Sequence, residues 1–381
     1  MTGRVFEEPQ VPRTTPLGAT EPKVNWFLRS TRPQAVEGRR VVNDMYSRFP
    51  DHDGGLRRRL RSRTDSDLLT ALDELLVHDL LRHRYRVEYE GGTTPGTRPD
   101  FMLFDEEEHV ATVEVLSLML RGEWEAERKH HGWIEDMLNR RLRPTTHFID
   151  FEIRQWDDYV DLEHLIAWVS SALDDLGADP GALPTGYQGV PHKLYEYGSG
   201  RLDFHFWPTP AGYTPGAGNR ISIGGPAIGG LINSANRLRR LLKAKAAKYD
   251  LRDKPFAIVV GVGDPMCELD DILDALTGTP AIIVATGEST RDETGVYGPQ
   301  RLGGHGMRRP ALSAVFAIQE WFPAGPYRPR ITRFDNPFAS APFPADALPF
   351  GGHWGEVDRS PTRVRADWLV PPVAPIPAPG A

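Results

Sequence analysis

Proline sets the outer limits on what this chain can fold into. Of 34 prolines in 381 residues, 14 follow Gly303, seven fall within 178–226 and four lie in the first 24 residues. Proline lacks the amide donor and clashes with the preceding helical turn, so stretches where it recurs every few residues hold neither long helices nor central strands. Pro310, Pro323, Pro326, Pro329, Pro337, Pro342, Pro344 and Pro349 thus predict a loop-dominated extension over 303–369. The run VPPVAPIPAPGA from Val370 predicts a disordered tail over 370–381. Residues 1–55 read as an N-terminal arm, partly disordered, because no hydrophobic period organises its first part. Between these ends, residues 56–302 read as an α/β core with an insertion at about 120–227.

Within that core the periods are clear. Thr64-Asp65-Ser66-Asp67 offers N-caps to a helix whose apolar stripe runs through Leu68, Leu72, Leu75, Leu76 and Leu80. A second stripe at Val77 and Leu81 predicts that this helix is covered on more than one side. Three short strands follow, YRVEYE, PDFMLFD and HVATVEVLSL, the last two forming a hairpin around Asp105-Glu106-Glu107-Glu108. The insertion reads as helix EWEAERKHHGWIEDMLNRRL, strand THFIDFEIRQW, helix DLEHLIAWVSSALDDLG ending at Gly177, and strands HKLYEY and RLDFHFW. A helix over about 228–249, the buried strand FAIVVGVG, a short helix ELDDILDALTG and a strand AIIVATG complete the centre.

Three acidic residues occupy chemically suggestive places. Glu114 sits mid-strand between Val113 and Val115, where a carboxylate is costly unless paired or metal-bound. Asp100 follows Pro99 at the start of the preceding strand, and Glu74 lies beside the second stripe of the first helix. Hard divalent cations take oxygen ligands, and two strand-borne carboxylates can hold Mg²⁺ while leaving room for water and a phosphate. A metal held in this way stabilises charge developing on a phosphodiester.

The stretch from Glu74 to Leu118 resembles the PD-(D/E)XK, or restriction-endonuclease-like, nuclease superfamily. The likeness lies in a helix bearing a Glu, a strand, Pro99-Asp100 on the next strand and Glu114 on the one after it. The resemblance implies a mixed sheet flanked by helices, Mg²⁺ (or Mn²⁺) held by Asp100 and Glu114 with Glu74 assisting, and hydrolysis of phosphodiester bonds in DNA or, second, RNA. The superfamily's lysine belongs two residues after the second acid, and Leu116 stands there. Either the site binds without cleaving, or another cation has taken over. In some superfamily members the replacement comes from the helix after the third core strand. Here that helix would offer Lys245, which borders its apolar stripe beside Leu241 and Leu242, and then Lys248.

The net charge of −7 averages over local basic segments. Arg57, Arg58, Arg59, Arg61 and Arg63 form one cluster ahead of the Glu74 helix. Arg237, Arg240 and Lys243 belong to a second, and Arg128, Lys129, Arg140, Arg141 and Arg143 to a third. Such clusters in an acidic chain suit a polyanion, with DNA the first expectation. A homo-oligomer or a partner from a defence system is also open. The rival reading is an inert nuclease-like module that binds nucleic acid or protein; a scaffold using the proline-rich surface is a third.

Other chemistries are disfavoured. One cysteine, Cys267, rules out an internal disulfide framework and a Cys-based zinc cage, and it has no basic neighbour in sequence to activate it. There is no Gly-x-Ser-x-Gly elbow, and SIGGPAIGGLIN lacks the Gly-Lys-Ser/Thr ending of a P-loop. No apolar run approaches the roughly 20 residues that span a bilayer, and no apolar leader opens the chain. A cytoplasmic protein without a membrane partner is the expectation.

Overall fold

The computed structural model describes residues 3–91, 98–119, 122–143, 146–155, 161–177, 189–209, 234–248, 254–282, 289–291, 294–297, 300–301, 307–308, 312–319, 321–323, 329–357 and 360–365. The chain divides into two compact units. The first comprises Met1–Gln10, Thr31–Met119 and Ile232–Ala381; the second comprises Val11–Ser30 and Leu120–Leu231.

The helices are α1 (Val24–Arg29), α2 (Pro33–Ser47), α3 (Gly55–Leu60), α4 (Asp65–Leu81), α5 (Gly122–Arg141), α6 (Leu162–Leu176), α7 (Ser234–Ala247) and α8 (Leu269–Thr277). In the first unit, β1 (Arg86–Tyr89), β2 (Phe101–Asp105) and β3 (Glu108–Leu118) pair antiparallel in succession. The β2–β3 turn is tight: Asp105 pairs with Glu108, and Glu106 takes a left-handed φ of 53°. Strand β4 (His147–Gln155), β5 (His192–Tyr197) and β6 (Gly200–Pro208) belong to the second unit, as a three-stranded antiparallel sheet in the order β4-β6-β5. Its inward residues Ile149, Phe151, Leu202, Phe204 and Phe206 pack with Ile134 and Leu138 of α5 and Leu165 and Val169 of α6.

Strand β7 (Phe256–Val262) returns to the first unit, parallel to β3. It is an unbroken apolar run because helices cover both faces of the sheet there. On one face, Leu238 and Leu242 of α7 and Ile272 and Leu276 of α8 pack with Leu118, Phe256, Ile258 and Val260. Helix α4 packs on β3 and β7 through the alternate residues. Short β8 (Pro280–Ile282) pairs with β9 (Ser289–Arg291) in a separate ribbon, as do β10 (Gln300–Arg301) and β11 (Met307–Arg308). The central sheet continues through β12 (Ala314–Gln319), β13 (Arg330–Asp335), β14 (Gly352–Val357) and β15 (Ser360–Arg365). Its order is β1-β2-β3-β7-β12-β13-β14-β15, a mixed eight-stranded sheet flanked by helices.

Three expectations differ from this architecture. The segment 303–369, expected to be loop-dominated, supplies four strands of the central sheet: its prolines flank AVFAIQ and RITRFD instead of interrupting them, and Pro361 falls on the edge strand β15, where a missing amide donor is tolerated. Arg333 of β13 pins the loop that follows, between β13 and β14, through the Phe343, Pro344 and Ala345 carbonyls. The expected arm over 1–55 holds α1 and α2 and the start of α3, and Asn43 clasps the backbone of buried Val5 and Phe6. The strand expected at AIIVATG joins β9 and not the central sheet. Residues 228–233 and 249 of the predicted long helix, and the tail 370–381, lie outside the described residues. Among those described, no helix is long and apolar enough to cross a membrane.

Candidate functional site

Glu114 is 0% exposed in the middle of β3, paired in register with Ile258 of β7. Its side chain receives the Lys245 ammonium from α7 as a direct hydrogen-bonded ion pair. The same Nζ lies 3.7 Å from Asp100 Oδ2. Asp100 stands just before β2, and its Oδ2 accepts the Val115 amide at 2.7 Å, which ties it to the neighbouring strand. One carboxylate from β3 and one from the residue just before β2 thus meet one ammonium from α7. Asp100 and Lys245 have side-chain exposures of 24% and 28%, so this corner of the sheet is open to a ligand.

The electrostatics follow from that geometry. Burial first, and then the charge of Glu114, push Asp100 up to about 6, against the pull of Lys245 and the Val115 amide. For Lys245 burial works against the charge, but Asp100 and Glu114 outweigh it and hold the ammonium above its ordinary range.

A carboxylate–guanidinium pair lies beside these two carboxylates. Glu74 of α4 is gripped by Arg59 of α3 through two parallel bonds, Nη1 to Oε1 at 2.5 Å and Nη2 to Oε2 at 2.6 Å. Arg59 Nη2 also donates to Tyr89 Oη at 3.3 Å. Burial keeps Glu74 above the usual carboxylate range even so, with the charge of Asp100 adding to it. The phenol of Tyr89 is raised by burial and by Glu74.

The residue before Glu74 carries the feature that sequence reasoning missed. Asp73 Oδ2 accepts from Ser117 Oγ at 2.6 Å, and its carboxyl group is wedged against β7 at Gly261. A β-carbon at Gly261 would overlap that carboxylate. Burial pushes Asp73 up to about 7. The available signal was Gly261 itself, a glycine inside an otherwise apolar strand, which marks close approach of another group.

Of the two lysines, Lys245 reaches the carboxylates; Lys248 is exposed just beyond the end of α7. The basic residues divide similarly. Arg59 enters the site, while Arg57 donates to the Arg4 carbonyl, Arg58 to Asp53 and Arg61 to Val5. Arg237 donates to the Met119 carbonyl and lies 3.6 Å from buried Asp264; Lys243 donates to the Thr294 carbonyl. Arg63 and Arg240 are exposed. Among the described residues no three His, Cys, Asp or Glu side chains converge as a closed metal cage. No family model, curated protein or solved structure matches the chain.

Proposed function

We propose that the first unit is a metal-dependent nuclease that hydrolyses phosphodiester bonds in DNA, with RNA as the second substrate class. The observation that carries this reading is the meeting of Asp100, Glu114 and Lys245. A strand acid, a second strand acid and a helix-borne ammonium share one solvent-open corner, although the position two residues after Glu114 is Leu116. The order β1-β2-β3-β7, with α4 before it and α7 between its last two strands, supports the restriction-endonuclease-like comparison.

The donor set fits a hard dication. All available ligands are carboxylate oxygens, and Asp100 is raised partly by the charge of Glu114, so the pair holds more negative charge than Lys245 neutralises. Mg²⁺ commonly takes one or two carboxylates and completes its shell with water and substrate phosphate. Asp100 and Glu114 would hold it, with Glu74 nearby. When bound, such an ion supplies an activated water and a counter-charge for the phosphoryl oxygens. Lys245 is the chain's own contribution: a fixed ammonium that orients a water and meets developing negative charge from the helix side. A cytoplasmic role in defence or repair suits a nuclease of this kind, acting alone, as a homo-oligomer or with a defence-system partner.

The test is incubation of purified protein with plasmid, linear and single-stranded DNA and with RNA, in Mg²⁺, Mn²⁺ or chelator. Metal-dependent cleavage that Asp100→Ala and Glu114→Ala each abolish, with the fold intact by circular dichroism, is the expected result. Cleavage surviving both substitutions removes the site assignment. Nucleic-acid binding without cleavage in any metal supports the inert-module reading instead, which the Leu116 position favours.

A further inference from the structure

The five-arginine run has one member that differs from the rest by what it holds. Helix α3 buries Leu56 and Leu60, four residues apart, and this anchors its orientation. Arg57, Arg58 and Arg61 then spend hydrogen bonds on backbone carbonyls, whereas Arg59 is turned onto Glu74. The pair occupies both carboxylate oxygens of Glu74, whose side chain is 8% exposed, and leaves the Arg59 side chain 33% exposed. Asp100 contributes to the charge that Arg59 feels, so the guanidinium belongs to the same electrostatic field as the candidate metal ligands.

Resting on the nuclease reading, we infer that Arg59 is a latch on Glu74 that a backbone phosphate of the substrate releases. While the fork is closed, both Glu74 oxygens are engaged by the guanidinium, and a metal ion has to compete with it for them. A phosphodiester is an equally good bidentate partner for a guanidinium, and a third of the Arg59 side chain is open to solvent. Phosphate binding draws Arg59 off, and Glu74 is left as a buried carboxylate needing a counter-charge, which a divalent ion at Asp100 and Glu114 supplies. Nucleic acid and metal therefore bind with positive coupling, each strengthening the other by the same factor. Arg59 acts through Glu74 and is a positioning residue in this scheme.

The experiment is calorimetric titration of the full chain with Mn²⁺ alone, and again with a phosphorothioate-linked DNA duplex that resists hydrolysis. Wild type is expected to bind Mn²⁺ at least tenfold more tightly with the duplex present. Arg59→Gln should bind Mn²⁺ tightly without the duplex and gain nothing further from it. Loss of a nearby positive charge alone would also tighten Mn²⁺ binding, so the same substitution is made in a Glu74→Gln background. There the gain must disappear. A gain that persists with Glu74→Gln, an Arg59→Gln protein that binds Mn²⁺ no better than wild type, or no detectable Mn²⁺ binding by any of the proteins overturns the latch. Failure of the nuclease reading is seen separately, as absence of cleavage while Mn²⁺ binding and its coupling to the duplex are retained.

Discussion

His78 lies one turn beyond Glu74 on α4, 4% exposed, with its ring 4.8 Å from that of Phe49 and 5.9 Å from that of Phe101. Its Nδ1 is buried without a hydrogen-bond partner. Burial pushes its pKa from 6.5 down to about 4. The neutral ring is thus favoured in the folded chain, and the unfolded chain takes up a proton first as pH falls. The stability contribution is complete above pH 6.5, is lost through the window from 6.5 to about 4, and levels off below it. At roughly 1.4 kcal/mol for each pKa unit, the loss across that window is about 3 kcal/mol. His78→Leu keeps an apolar side chain in the aromatic cluster but cannot titrate. Urea unfolding of both proteins, at half-unit steps from pH 8 to pH 4, separates two effects. Loss of the ring contacts shifts the variant by a constant amount; removal of the proton uptake makes the variant gain about 3 kcal/mol on wild type as pH falls. A stability difference that stays constant over the whole range would refute the account of His78 as a neutral core histidine.

Asp73 carries the opposite sign on the same helix. Its folded-state pKa of about 7, against an ordinary 3.8, costs stability above that range: the penalty is absent below pH 3.8, grows up to 7 and is then full. Asp73→Asn should therefore stabilise the chain at pH 8 by up to about 4 kcal/mol and confer no advantage at pH 4; a benefit independent of pH contradicts burial as the cause. Lys245→Met strands the wholly buried Glu114 and should destabilise by about 3–5 kcal/mol at neutral pH, with Glu114→Gln in the same chain recovering most of it; an additive double variant in thermal melts rules out the pairing. Gly261→Ala drives a methyl group into the Asp73 carboxylate and should cost about 1–3 kcal/mol, and Asp73→Ala should relieve that cost in the double variant.

How far the site could be read in advance depends on whether one residue's role was decided locally. Glu114 announced itself because a charge between two valines on an apolar strand violates its own neighbourhood, and Lys245 became the first candidate because it borders the helical stripe beside Leu241 and Leu242. The extents of β2, β3, β4 and α6 followed from short-range periods in the same way. By contrast, β12 and β13 were obscured by the prolines around them. Strand formation there is decided by a vacant edge on β7, a non-local fact. Arg59 was indistinguishable from four neighbours of identical chemistry until the buried Leu56 and Leu60 set the rotation of α3. Asp73 lies on neither apolar stripe of its helix, and its clue lay nearly 190 residues downstream, at Gly261. Adjacent on α4, Asp73 meets a hydroxyl and a bare strand, and Glu74 meets a guanidinium. The first carboxylate is held back from ionising by burial, while the second has a cation to exchange. In the proposed latch, that asymmetry singles out Glu74, whose guanidinium partner is partly exposed, over Asp73, which has a hydroxyl for a partner.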